Sequence, residues 1–323
     1  MVQCVNHATG QNSWKMMPSD YDYNQELARA AFADMLHDSE RNRLYFEGLA
    51  AAIKLKREKG ERVDVLDIGT GTGLLSMMAA SLGADTIVAC EEFRPMADCA
   101  TRVIRDNKFS DKIRLVRKRS TEMRVGPGLD MERRANILVT EVFDTELIGE
   151  GAISTYNHAA AELLTRDRLV VPGVARIWAQ VVRSDKCRDW SLARPITLDT
   201  DTSLAPAPPT GHGGHTSLSL HDVQLSQFPA HLWSPVTEPV VVFTMDLAAR
   251  EAPIPVTDRT VRSVASLHEG EASCDAVLMW WDCWADPQQT ILLSCAPRWA
   301  SHHPADKELP WRDHWMQAIY YPK

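Results

Sequence analysis

The chain has no run of 18 or more apolar residues and no apolar core near its N-terminus, so nothing in it reads as a membrane span or a secretory leader. Cys-x-x-Cys pairs are also missing. The seven cysteines (Cys4, Cys90, Cys99, Cys187, Cys274, Cys283 and Cys295) are odd in number and scattered. That excludes a disulfide scaffold and fits reduced thiols in a cytoplasmic and nuclear protein. A basic surplus is lacking too. Against 35 Lys and Arg stand 43 Asp and Glu, a formal charge of -8. This balance argues against non-specific contact with nucleic acid or an acidic membrane, and suits a basic protein partner. Internal repeats and coiled-coil heptads are absent. What is present is an ordinary globular composition over 323 residues, enough for one large or two modest domains.

Residues 1–20 are polar and turn-rich, and are expected to be loose until a ligand or partner orders them. Residues 24–36 and 41–56 read as helices, with Asp38 and Ser39 as the cap between them. An alternation follows. Strand 63–67, helix 74–82, strand 86–91, helix 94–107, strand 113–117, strand 135–140 and a helix near 154–164 imply βαβ units and a parallel sheet, an α/β domain over 21–172. After Pro172 and Gly173 the pattern changes to short alternating strands at 175–182, 240–245, 276–283 and 290–296, an antiparallel β domain over 173–323. Residues 184–200 form a polar, helix-permitting insert, and 203–216 an exposed loop.

Gly69, Gly71 and Gly73 follow the first strand as G-x-G-x-G, not the G-x-G-x-x-G of dinucleotide binders. Such a turn lets a ligand approach the backbone closely. Asp67 ends the preceding strand and Glu91 the next, where a carboxylate can accept both hydroxyls of a ribose. An acid beside the turn disfavours a pyrophosphate and welcomes an amino group or a sulfonium. S-adenosylmethionine carries both. A merely structural strand-turn-helix is the alternative. Glu92 reads as a solvated neighbour, and Arg41 either pairs the ligand carboxylate or lies on the surface.

The more distinctive feature is a second pair of acids, Glu141 and Glu150, with the first directly after the buried strand. Both point to the carboxyl edge of the sheet, where open α/β sheets bind ligands. Two acids facing one point repel unless a cation lies between them. A planar, bidentate cation such as a guanidinium suits them best. Other features carry less. His212 and His215 have no further ligand at metal spacing. Trp280, Trp281 and Trp284 sit on an alternating strand and read as barrel core plus interface, and the basic run 114–119 as a solvated strand edge.

With these residues in hand, the chain resembles the protein arginine N-methyltransferases. The resemblance covers nearly its whole length: Ala33 to Asp38, Asp67 to Gly73, Glu91, Ser120 to Glu122, the loop 141–150 and Asp313-His-Trp-Met-Gln317. It implies a Rossmann-like S-adenosylmethionine-dependent methyltransferase domain followed by an antiparallel β-barrel with a short inserted helical arm, placed at about 184–200. By position it gives Arg41 the cofactor carboxylate, Glu91 the ribose, Glu122 the adenine side and Met35 the reacting methyl. Glu141 and Glu150 would grip the substrate guanidinium, while His314 pairs with Asp38 at the site wall. Asp313, where most of the family has a threonine, would attract a second basic residue, with Trp315 beside it. Phe32 stands where the family commonly has a tyrosine near the cofactor. The wording of the loop resembles a monomethylating (type III) branch acting on basic Arg-x-Arg sites of histones and RNA-binding proteins. Animal members of that branch carry two modules, so a homodimer or a second module is an expected partner. The competing expectation is a cofactor-binding module without turnover, serving assembly or regulation.

Overall fold

The computed structural model describes residues 2–5, 12–15, 32–191, 195–198, 202–204, 220–268, 274–301, 312 and 314–321. Within the segment expected to be loose, β1 (Val2–Val5) pairs antiparallel with β2 (Asn12–Lys15). Of the first predicted helix, Phe32–His37 forms α1, and 24–31 lie outside the described residues. Asp38 then caps α2 (Ser39–Glu58) by accepting the Arg41 backbone N–H at 2.8 Å.

Five strands form a parallel sheet: β3 (Asp64–Ile68), β4 (Thr86–Cys90), β5 (Ile113–Val116), β6 (Ala135–Thr140) and β7 (Leu164–Val171). The helices between them are α3 (Leu74–Ser81), α4 (Arg94–Asp106) and α5 (Ala152–His158), the last continued by a π-helical turn, Ala159–Leu163. β3 and β6 are buried at every position, as strands covered on both faces must be. The order is β5-β4-β3-β6-β7, so the winding reverses between β3 and β6. Strand β7 was not expected. Its middle residues, Thr165 to Leu169, are polar or half-exposed, and only its ends are buried. A buried lysine holds it instead. Lys56 Nζ donates to Asp167 Oδ2 at 2.6 Å and to the Asp167 carbonyl at 2.9 Å.

The second domain is an antiparallel β-barrel. Among the described residues it shows β8 (Val174–Arg183), β11 (Leu220–Val223), β12 (Ser234–Pro235), β13 (Val240–Asp246), β14 (Ala276–Trp284), β15 (Leu292–Ser294) and β16 (Gln317–Tyr320) in one seven-stranded sheet. Between β8 and β11 lie α6 (Asp185–Ser191) and a small pair, β9 (Ile196–Thr197) with β10 (Ser203–Leu204). The domains share one core: Tyr45, Leu49, Val139 and Phe143 pack in the same cluster as Ile177, Trp281 and Trp315. Trp280 belongs to a second cluster inside the barrel, with Leu278 and Trp233.

Gly48 marks how closely the domains meet. A Cβ there would lie 2.1 Å from the Ala285 carbonyl oxygen and 2.7 Å from its carbon. Glycine in a helix costs about 1 kcal/mol relative to alanine, but a backbone clash of this size outweighs that gain. Gly48→Ala is therefore expected to lower stability by roughly 1–3 kcal/mol, read as a reduced urea midpoint; a raised midpoint would contradict the packing.

Candidate active site

The sheet register places Ile68 opposite both Cys90 and Thr140. The chain therefore leaves three adjacent strands at one level, and the next residues are Gly69, Glu91 and Glu141. A cavity of about 640 Å³ opens at this edge, at the reversal in strand order. Met35, Arg41, Gly69, Gly71, Glu91, Glu141, Glu150 and His314 all border it. Asp38, Asp67, Gly73, Glu122 and Trp315 do not. Asp313 lies outside the described residues, as do His212, His215 and the Phe32 side chain.

The turn is braced from beneath. Asp67 is fully buried, and its Oδ2 accepts from Thr70 Oγ1 at 2.6 Å and Ser76 Oγ at 2.7 Å. Burial pushes its pKa up to about 6, with those hydroxyl bonds opposing the rise. It holds the turn in shape from beneath the cavity, which it does not border, and its Oδ1 has no partner among the described residues. Gly73 is likewise structural. With φ at 89° it precedes α3 in the left-handed region, and a Cβ would come 3.1 Å from Ile104 on α4. Glu91 faces the cavity half-buried and accepts the backbone N–H of Gly71 at 3.0 Å and of Phe93 at 2.8 Å. Burial raises its pKa in spite of those bonds. Glu122 stands exposed at the end of a short 3-10 turn; Lys118, Arg119 and Ser120 form the wall beside it.

Glu141 is bound on both oxygens. Oε2 accepts from Arg41 Nη2 at 2.7 Å and Oε1 from the Phe143 N–H at 3.2 Å. The Arg41 and Glu141 side chains are 7% and 6% exposed. The arginine expected to meet a ligand carboxylate thus meets the clamp itself. Its guanidinium lies 5.3 Å from the Tyr45 ring centre and 5.6 Å from that of Trp315, and its Nε has no partner. Glu150 stands at the rim. Desolvation by the cavity wall, then the charges of Glu141 and Asp144, push its pKa up to about 6.

The loop between the two acids is a sequence of turns, not a β-hairpin, and the barrel holds it. Trp281 Nε1 donates to the Asp144 carbonyl at 2.9 Å and Trp315 Nε1 to the Phe143 carbonyl at 3.0 Å. Trp315, expected beside the substrate, is 1% exposed and supports the loop from behind. The Tyr320 hydroxyl donates to Glu146. Within the loop, Asp144 Oδ1 accepts the Gly149 N–H at 3.0 Å, and buried Leu147 takes a positive φ of 74°. A left-handed leucine persists only where surroundings over-determine it.

His314 does approach Asp38, with Nε2 3.4 Å from Oδ2, but Asp38 is shared and His314 has a second partner. Arg312 Nε donates to Asp38 Oδ2 at 2.6 Å, and its Nη2 to Glu40 at 2.8 Å. Asp34 pairs the other imidazole nitrogen, Nδ1. Burial alone would raise the Asp38 carboxyl; His314 and the Arg312 charge hold it well below the usual carboxylate range. Sequence reasoning missed Arg312, Asp34 and Tyr320. Arg312 adjoined a motif already singled out, and a charge inside an aromatic-rich run was the available signal.

A parallel sheet with acids at the ends of successive strands, a glycine turn between them and an appended β-barrel define the fold of a Rossmann-like methyltransferase domain followed by a barrel domain. A family model for the arginine methyltransferase oligomerization subdomain matches residues 178–323, and one for ribosomal protein L11 methyltransferase matches 49–162. Protein arginine N-methyltransferase 7 of Drosophila pseudoobscura pseudoobscura is 49% identical over 99% of this chain, and that of Drosophila melanogaster 48%. Each alignment covers 48% of the fly protein, so the chain spans about half the length of the curated relatives it matches. Two solved structures share the fold. A Trypanosoma brucei PRMT1 enzyme–prozyme heterotetrameric complex with AdoHcy aligns over 91% of this chain and 82% of its own (TM-score 0.63, 19% identity). Arabidopsis thaliana protein arginine methyltransferase 10 aligns over 90% and 81% (TM-score 0.60, 17% identity). The chain belongs to the protein arginine N-methyltransferase family.

If the two indole N–H groups hold the loop, Trp281→Phe is expected to speed amide exchange across 143–149 about tenfold, since a lost hydrogen bond is worth about 1 kcal/mol net and more when it leaves a buried carbonyl unpaired. Exchange equal to wild type would show that the loop is held elsewhere.

Proposed function

We propose that the chain transfers a methyl group from S-adenosylmethionine to a guanidino nitrogen of arginine in a protein substrate. The observation that carries this reading is that Glu141 and Glu150 border one cavity with the glycine turn and Glu91, while Glu141 already grips a guanidinium, that of Arg41. The residues fit the cofactor. Gly69 and Gly71, both at positive φ, leave a backbone cradle, and a Cβ at Gly69 would press to 3.3 Å from Val142 on the cavity wall. Glu91 stands at the strand end where a carboxylate receives a ribose, and Arg41 has an unpaired Nε. AdoHcy in the trypanosome relative supports the same assignment. When bound, S-adenosylmethionine supplies the methyl activated as a sulfonium.

The protein's part is alignment and charge. Arginine has a pKa above 12 and is a poor nucleophile. Glu141 and Glu150 would draw its positive charge toward the nitrogens they hold, leaving lone-pair density on the one facing the cofactor. Orientation of this kind can supply roughly 7–11 kcal/mol of the barrier. Met35 on α1 borders the reacting region. For the departing proton, Glu150 ranks ahead of His314, because it stands exposed at the cavity rim while the His314 side chain is 4% exposed. The finer reading is ω-N-monomethylarginine on basic Arg-x-Arg sites such as those of histones, in the cytoplasm and nucleus. It rests on resemblance to the relatives, and their greater length leaves a second module or a second copy as the proposed partner. An assembly module that binds cofactor without turnover is the second reading, favoured only by that difference in length.

Mass spectrometry of an Arg-x-Arg peptide incubated with the chain and S-adenosylmethionine separates these. A gain of one methyl is expected, and Glu141→Gln or Glu150→Gln should each cost on the order of a hundredfold in rate while S-adenosylhomocysteine binding survives. Near-normal turnover in either variant removes the clamp.

The raised Glu150 pKa gives a second test. A cationic guanidinium needs the ionised carboxylate, so kcat/KM for peptide should fall about tenfold per pH unit below about 6. Asp144→Asn removes one of the charges raising Glu150 and should move that limb to lower pH. A limb that stays put assigns it to another group.

A further inference from the structure

We propose that Asp34 is a positioning residue: by holding His314 it latches α1 over the cavity and sets Met35 against the reacting centre. The proposal rests on the methyltransfer reading above for its consequence, though not for its geometry. Among the described residues helix α1 is Phe32–His37, a segment that needs outside contacts to hold its place. Met35 and Leu36 on this helix border the cavity, as does His314 from the barrel side. Among the described residues, one carboxylate oxygen joins them. Asp34 Oδ2 accepts the His314 backbone N–H at 3.3 Å and pairs its ring Nδ1. An aspartate can only accept there, so Nδ1 carries the proton.

The imidazole thereby lies between two aspartates four residues apart, paired with Asp34 on α1 through Nδ1 and with Nε2 3.4 Å from Asp38 at the cap of α2. The Asp38 end is fixed: it caps α2, its side chain is fully buried, and Arg312 locks it to Glu40 and the Ser294 carbonyl. The Asp34 side chain is 20% exposed, at the edge of that network. Arg312 and His314 thus form a fixed strut, with Asp34 as the point where α1 attaches to it. Met35 follows Asp34 directly, so the latch fixes a residue that borders the cavity. The predicted pairing of His314 with Asp38 alone leaves this second function of the histidine out.

Asp34→Ala tests the latch cleanly, because alanine is the better helix former and any loss of α1 order cannot come from propensity. Amide exchange at 33–37 is expected to quicken about tenfold in Asp34→Ala and less in Asp34→Asn, which keeps an acceptor oxygen. Calorimetry should show S-adenosylhomocysteine binding weakened by a similar factor, with the urea midpoint unchanged. In turnover, KM for S-adenosylmethionine should rise more than kcat falls, and Asp34→Asn should recover part of both. Exchange at 33–37 equal to wild type overturns the latch. Faster exchange with unchanged cofactor affinity and KM overturns its positioning role. Should the wild-type chain leave arginine peptides unmodified, the methyltransfer reading falls, while the exchange comparison still decides the latch.

Discussion

A buried carboxylate and a buried guanidinium, Glu141 and Arg41, meet at 2.7 Å in the cavity wall, and much of the site follows from that contact. Each alone would carry a heavy desolvation cost, and losing one partner of such a pair typically costs 3–5 kcal/mol. The pairing lets an acid sit at the end of a fully buried strand, where water cannot stabilise it. It also shows the bonding habit of the position: a carboxylate that holds a guanidinium by one oxygen while its other oxygen is steadied by the Phe143 N–H. Glu150 has no such internal cation among its pKa-shifting neighbours, and Glu141 and Asp144 push its pKa upward. The asymmetry sets the two acids apart, and under the proposed reading it gives them different tasks, Glu141 directing charge and Glu150 taking the proton.

The pair is placed by elements from both domains. Parallel register delivers Gly69, Glu91 and Glu141 to one edge. The barrel then fixes the loop through two indole N–H groups on consecutive carbonyls, so the loop that carries the acids has its hydrogen-bond partners on another domain. A core continuous across the seam, with Gly48 against Ala285, keeps the two domains in register. A barrel that only covered the cavity would not need this. One that positions the loop carrying Glu141 and Glu150 does.

Much of this was legible in the sequence. Strands buried on both faces read as apolar runs, so β3, β4 and β6 emerged within a residue of their observed ends, and the acids after them were conspicuous because charge directly follows a buried strand. Strand β7 escaped, since Lys56, distant in sequence, supplies what an apolar run would have signalled. The hairpin of β1 and β2 escaped because polar, turn-rich composition does not distinguish a loose segment from a two-stranded one. Asp67, Gly73, Glu122 and Trp315 were found as site-forming residues but do not border the cavity: pattern tells that a residue belongs to a motif, not whether its side chain faces the cavity or the core. Asp34 and Arg312 were missed because their partnership spans more than 270 residues of chain and joins two domains.

The most direct test of the central claim is a crystal structure of the chain with S-adenosylhomocysteine and an arginine peptide. The account predicts the peptide guanidinium within hydrogen-bond reach of both Glu141 and Glu150, one nitrogen facing the sulfur. An arginine bound outside this cavity, or held by neither carboxylate, would contradict it.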